Sequence, residues 1–344
     1  MSLQVNRLSL SYRTKILSDI SFKIADGEIL GIIGPSGSGK TSLLNAIAGL
    51  VQPDSGEIYI DGTPVTRVRT DRRKVGFAFQ NPALFDLSVR ENVEFGIDDP
   101  QIPAPRRTQL SDIMMAAMNL IGLADRPADT LSGGQAQRVS LARTLAAEPR
   151  VLLLDEPLAH IESAVRQNIH TDLLSQIKRF GISTIYVTHD LPDACAAADR
   201  IAVMDKGRIL QIGTAEDLFF HPNSLAVAAM MGVPNSFAVA AKPAGQAGCV
   251  HAELGRAVHL FPAETDFSGA GIAFITPNNI ALTRSKNSTV FGLSGKILRR
   301  TFARSHWVYQ IETEFGTVVS WQLQSFQPHE YVDLTLLSGW VIPA

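Results

Sequence analysis

Cysteine is almost absent: Cys195 and Cys249 are the only two in 344 residues. Two thiols that far apart make neither a disulfide framework nor a metal-ligand cluster, which excludes stapled mini-domains and zinc modules and fits a reducing cytoplasm. A charge excess of either sign is also missing. A formal net charge of −2 excludes a broadly basic nucleic-acid groove, so no nucleic-acid partner is expected. No apolar run is long enough to cross a bilayer. The opening residues "MSLQVNRLSLSY" lack the charged start and apolar core of a signal peptide. The expectation is a chain that acts at a membrane only through a partner. Internal repeats and low-complexity tracts are lacking too. What remains is ordinary globular material, 45% hydrophobic and 19% charged, long enough for one large domain and a smaller one.

Short β-rich runs alternate with helical patterns over the first two-thirds, the mark of a parallel sheet covered by helices. "GEILGIIG" reads as a buried strand feeding a glycine loop, and "TSLLNAIAGL" as the helix after it. "RVLLLDEP" and "STIYVTHD" are two more apolar runs that end in polar residues. In open parallel sheets, chemistry collects at the carboxyl ends of strands. From about 98 to 147 strand signals vanish. Met114, Met115, Met118, Leu120 and Leu123, then Val139, Leu141, Ala142 and Leu145, recur at helical spacing, predicting a helical subdomain inserted into the α/β core. Beyond about Gly232, "AVAAKPAGQAGC" reads as a linker or loop. "WVYQIET" and "TVVSWQL", separated by Glu314, Phe315 and Gly316, read as a hairpin. A small all-β, barrel-like domain is expected over 236–344, after an α/β domain over 1–235.

Gly34, Pro35, Ser36, Gly37, Ser38, Gly39, Lys40 and Thr41 fit the pattern G-x-x-x-x-G-K-[ST]. Glycines let the backbone curl around phosphates, and the following helix aims its N-terminus at them. Lys40 would neutralise β- and γ-phosphates, and the Thr41 hydroxyl is a hard oxygen ligand suited to Mg²⁺. A glycine loop of this form can occur by chance, but rarely between a buried strand and a helix. Four apolar residues bury "VLLLDEP", so Asp155 and Glu156 emerge at its end. Asp155 suits the Mg²⁺ site, and Glu156 is placed to polarise an attacking water. Two acids capping a turn before Pro157 is the plainer alternative. A second candidate anion site follows at "TLSGGQAQRVSLARTL": Ser132, Gly133, Gly134 and Gln135 would open a helix whose bare N–H groups face an anion.

Together these motifs resemble the ATPase subunits of ABC transporters, over about residues 1–230. Leu131 to Gln135 matches that family's LSGGQ signature. The resemblance implies a P-loop fold binding ATP and Mg²⁺, and two copies packed head to tail so that each signature meets the γ-phosphate held by the other's cradle. It extends the nucleotide site to Ser42 and implies that Tyr12 stacks on adenine. Gln80 in "AFQNP" would join the Mg²⁺ and water site to the transmembrane subunit. His189 in "VTHD" would contact the γ-phosphate, acting with Gln80 and Glu156 in catalysis. Thr41, Gln80 and Asp155 would hold the metal. The implied partners are permease subunits and, indirectly, a substrate-binding protein, with the chain peripheral on the cytoplasmic face of the inner membrane.

Two departures stand out. Ala159, His160, Ile161 and Glu162 replace the family's usual Ser-Ala-Leu-Asp, and "PALFDLSVRENV" is one residue shorter than the usual run after the glutamine. The β-rich tail resembles the regulatory domain of importers for ferric iron, molybdate, sulfate, polyamines and sugars. "MGVPNSF", "AELGRAVHL" and "FITPNNIAL" look most like the ferric-iron and inorganic-anion branch, although Thr276, Pro277 and Asn278 stand where Arg-Pro-Glu is common. Ferric iron is therefore the first expectation for cargo and molybdate- or sulfate-type anions the second. A polyamine or sugar importer and a non-transport ABC ATPase are the alternatives. Arg299, Arg300, Arg304 and Ser305 form either an anion pocket or, more simply, a solvated basic edge.

Overall fold

The computed structural model describes residues 2–97, 102–158, 163–246, 248–254, 257–285, 293–303 and 305–344. Glu162 and its three predecessors, and Arg304, lie outside the described residues. Contacts divide the chain into two compact units, 1–212 and 213–344. The first unit keeps the parallel sheet; the short helices Ala215–Phe220 and Leu225–Met230 fall with the tail, although the sequence patterns place a boundary near 235.

The first unit holds two sheets. An antiparallel one is ordered β2 (Lys15–Ile24), β1 (Leu3–Ser11), β4 (Ser55–Ile60), β5 (Thr63–Pro64). The other is six-stranded, ordered β10 (Arg208–Gly213), β9 (Arg200–Asp205), β3 (Ile29–Ile33), β8 (Ser183–Val187), β7 (Val151–Asp155), β6 (Val75–Ala78). Strands β6, β7, β8, β3 and β9 pair in parallel. β3, β7 and β8 are buried at every position, which is why they read as unbroken apolar runs. Alternate side chains go to opposite faces. Leu30, Ile32, Val151 and Leu153 join a core shared with helix α1 (Lys40–Ala48) and the antiparallel sheet. Ile29, Leu152 and Leu154 join a second core with α3 (Ala104–Ala117), α4 (Gly133–Ala146) and α5 (Ser163–Phe180).

The described part of the helical subdomain, from 102 onward, contains α3, α4 and two 3₁₀ turns. α3 stops before the end of its apolar pattern: Asn119 adopts φ 54°, a left-handed conformation that asparagine tolerates and a helix cannot continue through. Leu120 and Leu123 nevertheless pack in the second core from the following turn. Upstream, α2 (Val89–Glu94) is anchored by Asn92, fully buried. Its Oδ1 accepts from the Phe85 N–H at 2.9 Å, and its Nδ2 donates to the carbonyls of Phe85, Leu87 and Ser88. One side chain thus fixes the segment after Gln80.

Among the described residues, Arg73 is the largest fully buried side chain. Its Nη1 donates to the Ala46 and Ile47 carbonyls at 2.9 Å, and its Nε and Nη2 donate to Val68 and Thr66. A cation at the carbonyl end of α1 is favourable, although burial lowers the guanidinium's pKa.

In the tail, "AVAAKPAGQAGC" is not a linker. Asn235–Pro243 is a strand with Phe237, Val239 and Ala241 inward. Its small residues hid a strict alternation. Two five-stranded antiparallel sheets share one core, from Phe237 to Val341. The hairpin reading holds: His306–Thr313 pairs with Gly316–Gln322 across Glu314 and Phe315.

Candidate functional site

Five segments meet at the carboxyl edge of the parallel sheet. Four follow adjacent strands: the glycine loop after β3, Asp155 and Glu156 at the end of β7, His189 two residues past β8, and Gln80 two residues past β6. The fifth is the start of α1. Adjacency in the sheet, not in sequence, brings these residues together.

The cradle is shaped by close approach. A Cβ on Gly34 would lie 2.0 Å from the Met204 carbonyl oxygen, so no larger residue fits. Gly39 takes φ 102° as the N-cap of α1 and supplies no side-chain cap. The first N–H groups of α1 therefore stay open to an incoming anion. Pro35, Ser36 and Gly37 are exposed, Ser42 is half-buried, and the Ser38 hydroxyl is buried with no hydrogen-bond partner among the described residues. Lys40, 8% exposed, folds its Nζ back to donate to the Gly34 and Pro35 carbonyls at 2.8 and 3.0 Å. Burial lowers its pKa, and the carboxylates of Glu156 and Asp155 oppose that shift.

Asp155 is buried and hydrogen-bonds the Thr41 side chain; burial raises its pKa against that bond and the Lys40 charge. Glu156 turns out of the strand at φ 47°, its N–H donating to the Val187 carbonyl at 2.9 Å. Its carboxylate sits between two partners: Gln80 Nε2 donates to Oε2 at 3.3 Å, and His189 Nδ1 lies 3.2 Å from Oε1. Lys40, Thr41, Gln80, Asp155, Glu156 and His189 thus form one constellation. Thr41 and Asp155 offer hard oxygens, and Gln80 adds an amide. Among the described residues no three His, Cys, Asp or Glu side chains form a metal group. Two hard oxygens and an amide are donor types that would suit Mg²⁺, which takes most of its shell from phosphates and waters.

Tyr12 lies on the turn between β1 and β2, 60% exposed. The next strand runs against the cradle, since a Cβ on Gly39 would meet Leu17 Cδ2 at 2.9 Å and the Ile16 carbonyl at 3.1 Å. At the other predicted anion site, Ser132 caps α4. Its Oγ accepts from the Gln135 N–H at 3.4 Å, and Gln135 Oε1 accepts from the Ser132 N–H at 3.0 Å. Gly133 and Gly134 are the first two helical residues, so their N–H groups have no intrahelical acceptor. In the tail, Arg300 is committed internally, donating to Ser325 Oγ and the Phe326 carbonyl and lying over the Trp307 ring.

Sequence reading missed Arg166, which reaches the loop carrying His189. No motif marks it, because its acidic partners lie far along the chain and belong together only in the fold.

Residues 17–159 match the family described as ABC transporter. A sulfate/thiosulfate import ATP-binding protein of Synechocystis is 40% identical over 237 residues, 68% of this chain and 67% of that one. A ferric-ion import ATP-binding protein of Agrobacterium fabrum is 35% identical over 304 residues, covering 88% and 85%. The solved structure of cbiO1 from Clostridium perfringens, part of the ABC transporter complex cbiONQ, superposes with a TM-score of 0.59 at 33% identity, over 63% of this chain and 90% of that one. A dimeric post-hydrolysis state of the cassette MJ0796 bound to ADP and Pi gives 0.56 at 29%, over 62% and 98%. With its phosphate cradle, strand-end acids and second helix end in place, the chain belongs to the ABC transporter family and is one of its ATPases.

Proposed function

We propose that this chain powers import of an inorganic ion through a separate transmembrane permease, as one of two copies that close on ATP. The observation that carries the catalytic part is Glu156 held between Gln80 and His189 at the strand edge that also carries Lys40. Glu156 polarises the attacking water. Lys40 and the open N–H groups of α1 hold the β- and γ-phosphate oxygens, and His189 contacts the γ-phosphate. Thr41, Asp155 and Gln80 would hold Mg²⁺, which when bound would neutralise phosphate charge. The work is positional and electrostatic. Tyr12 stacks on the adenine. Ser132 to Gln135 of the second copy complete each site, so hydrolysis waits on closure.

Among the described residues no helix is long and apolar enough to cross a membrane, and a separate permease would supply the path. A surface suited to it follows Gln80. Phe79, Phe85, Leu87 and Phe95 are exposed, the Phe85 and Phe95 rings meet at a tilt with centroids 4.3 Å apart, and Arg143 lies over Phe85. An exposed aromatic cluster beside the catalytic glutamine suits a partner's helix, which supports a reading of the chain as peripheral at the inner face of the membrane. For cargo, a ferric-ion relative 35% identical over 304 residues and a sulfate/thiosulfate relative 38% identical over 294 match almost equal shares of the chain, so the choice rests on the tail segments "MGVPNSF", "AELGRAVHL" and "FITPNNIAL". Ferric iron is the first assignment and a sulfate-type anion the second.

ATP hydrolysis by the wild type and Glu156→Gln tests the reading. Losing ~3–4 kcal/mol of transition-state stabilisation slows turnover by roughly a hundred- to a thousand-fold while ATP still binds. Normal turnover by Glu156→Gln would sink the assignment.

A further inference from the structure

Behind Glu156 and His189 lies an ionic cluster that the phosphate chemistry does not use. Arg166, near the start of α5, sets its Nη2 against the carboxylates of Asp193 and Asp190, 3.6 Å from Asp190 Oδ2. All three side chains are mostly shielded, with exposures of 24% for Arg166, 32% for Asp190 and 17% for Asp193. The two acids open helix α6 (Leu191–Ala197): Asp190 is its N-cap and accepts from the Asp193 N–H at 3.1 Å. Asp190 is also the residue next to His189. Its own N–H donates to Thr188 Oγ1 at 3.0 Å, and the Thr188 N–H donates to the Ile32 carbonyl of β3 at 3.3 Å. The short loop bearing His189 is thus tied to the sheet at one end and to Arg166 at the other. His189 itself, with a side chain 62% exposed, is not held by packing. His170, one turn along α5 and buried against Tyr186, does not share the task. Burial lowers its pKa, and among the described residues Arg166 is the cation that meets both acids.

We propose that Arg166 is a positioning residue for ATP hydrolysis: by clamping Asp190 and Asp193 it fixes the loop that presents His189 to Glu156. This rests on the role assigned above to His189. In the full-length chain, with activity normalised to the folded fraction, Arg166→Met should lower kcat roughly ten- to a hundred-fold through misplacement of His189. KM for ATP should stay within about twofold, because ground-state binding is untouched. Arg166→Lys, which keeps the charge, should recover part of the loss. The deciding measurement is the double variant. Added to His189→Ala, Arg166→Met should cost nothing further in kcat, because both act through one group. Losses that add, or an Arg166→Met with normal kcat, overturn the clamp and leave His189 in its role. A His189→Ala variant with normal turnover overturns the role of His189 and the clamp with it.

Discussion

The N-termini of α1 and α4 use similar residues and are finished in opposite ways. α1 begins at Gly39, which has positive φ and offers no side chain to its own N–H groups. Lys40 lies beside the opening, fastened to the Gly34 and Pro35 carbonyls. α4 begins at Ser132, whose hydroxyl and whose partner Gln135 satisfy each other in a capping box. The first end is left open and armed with a cation. The second is a stable helix start with two glycine N–H groups to offer and no lysine or acid pair of its own alongside in sequence. An open, charged end can hold a triphosphate alone; a capped end suits a ligand presented by another molecule. On the proposed function, this contrast accounts for one chain carrying two such helix ends.

Variants at the two ends should therefore fail differently. Gly34→Ala forces a Cβ into the Met204 carbonyl, so the loop must move and ATP binding should fall more than a hundred-fold, a loss of about 3 kcal/mol or more. Calorimetric titration checks it, and near-normal affinity would break the account of the cradle. Gly134→Asp places a negative charge at the start of α4, where an anion would dock. Hydrolysis should drop about a hundred-fold while ATP binding by the single chain is unchanged; an equal loss of binding would erase the distinction between the two ends. At the far end of α1, Arg73→Met removes a donor from four carbonyls, of which Ala46 keeps the Gly49 N–H. Stability should fall by about 3 kcal/mol, read by denaturant melts, and a change below about 1 kcal/mol would show that water replaces the arginine. Ser132→Ala should cost only about 1 kcal/mol from the lost cap, a small shift in melting temperature beside the effect of Gly134→Asp on turnover.

Much of the site was legible because its chemistry is local. The cradle, the Asp155–Glu156 pair and the capped start of α4 are each contiguous, and a buried parallel strand announces itself by an unbroken apolar run such as Val151 to Leu154. The convergence of Gln80, Glu156 and His189 required the strand order β3-β8-β7-β6, which spacing alone does not reveal. Arg166 was invisible for the same reason. The strand at Asn235–Pro243 escaped because alanine fills its inward and outward positions alike, leaving Phe237 and Val239 as faint markers of its alternation. Asn119 ended α3 where apolar periodicity ran on. In each case tertiary packing decided what local pattern left open.

The central claim is that the α4 end of one copy serves ATP held by another. The most direct test is the size of Glu156→Gln in Mg-ATP, measured with and without Gly134→Asp, alongside ATP binding. A dimer for the single variant, and a monomer that still binds ATP for the double variant, is the predicted result. A dimer that survives Gly134→Asp, or a monomer that loses its ATP, would contradict it.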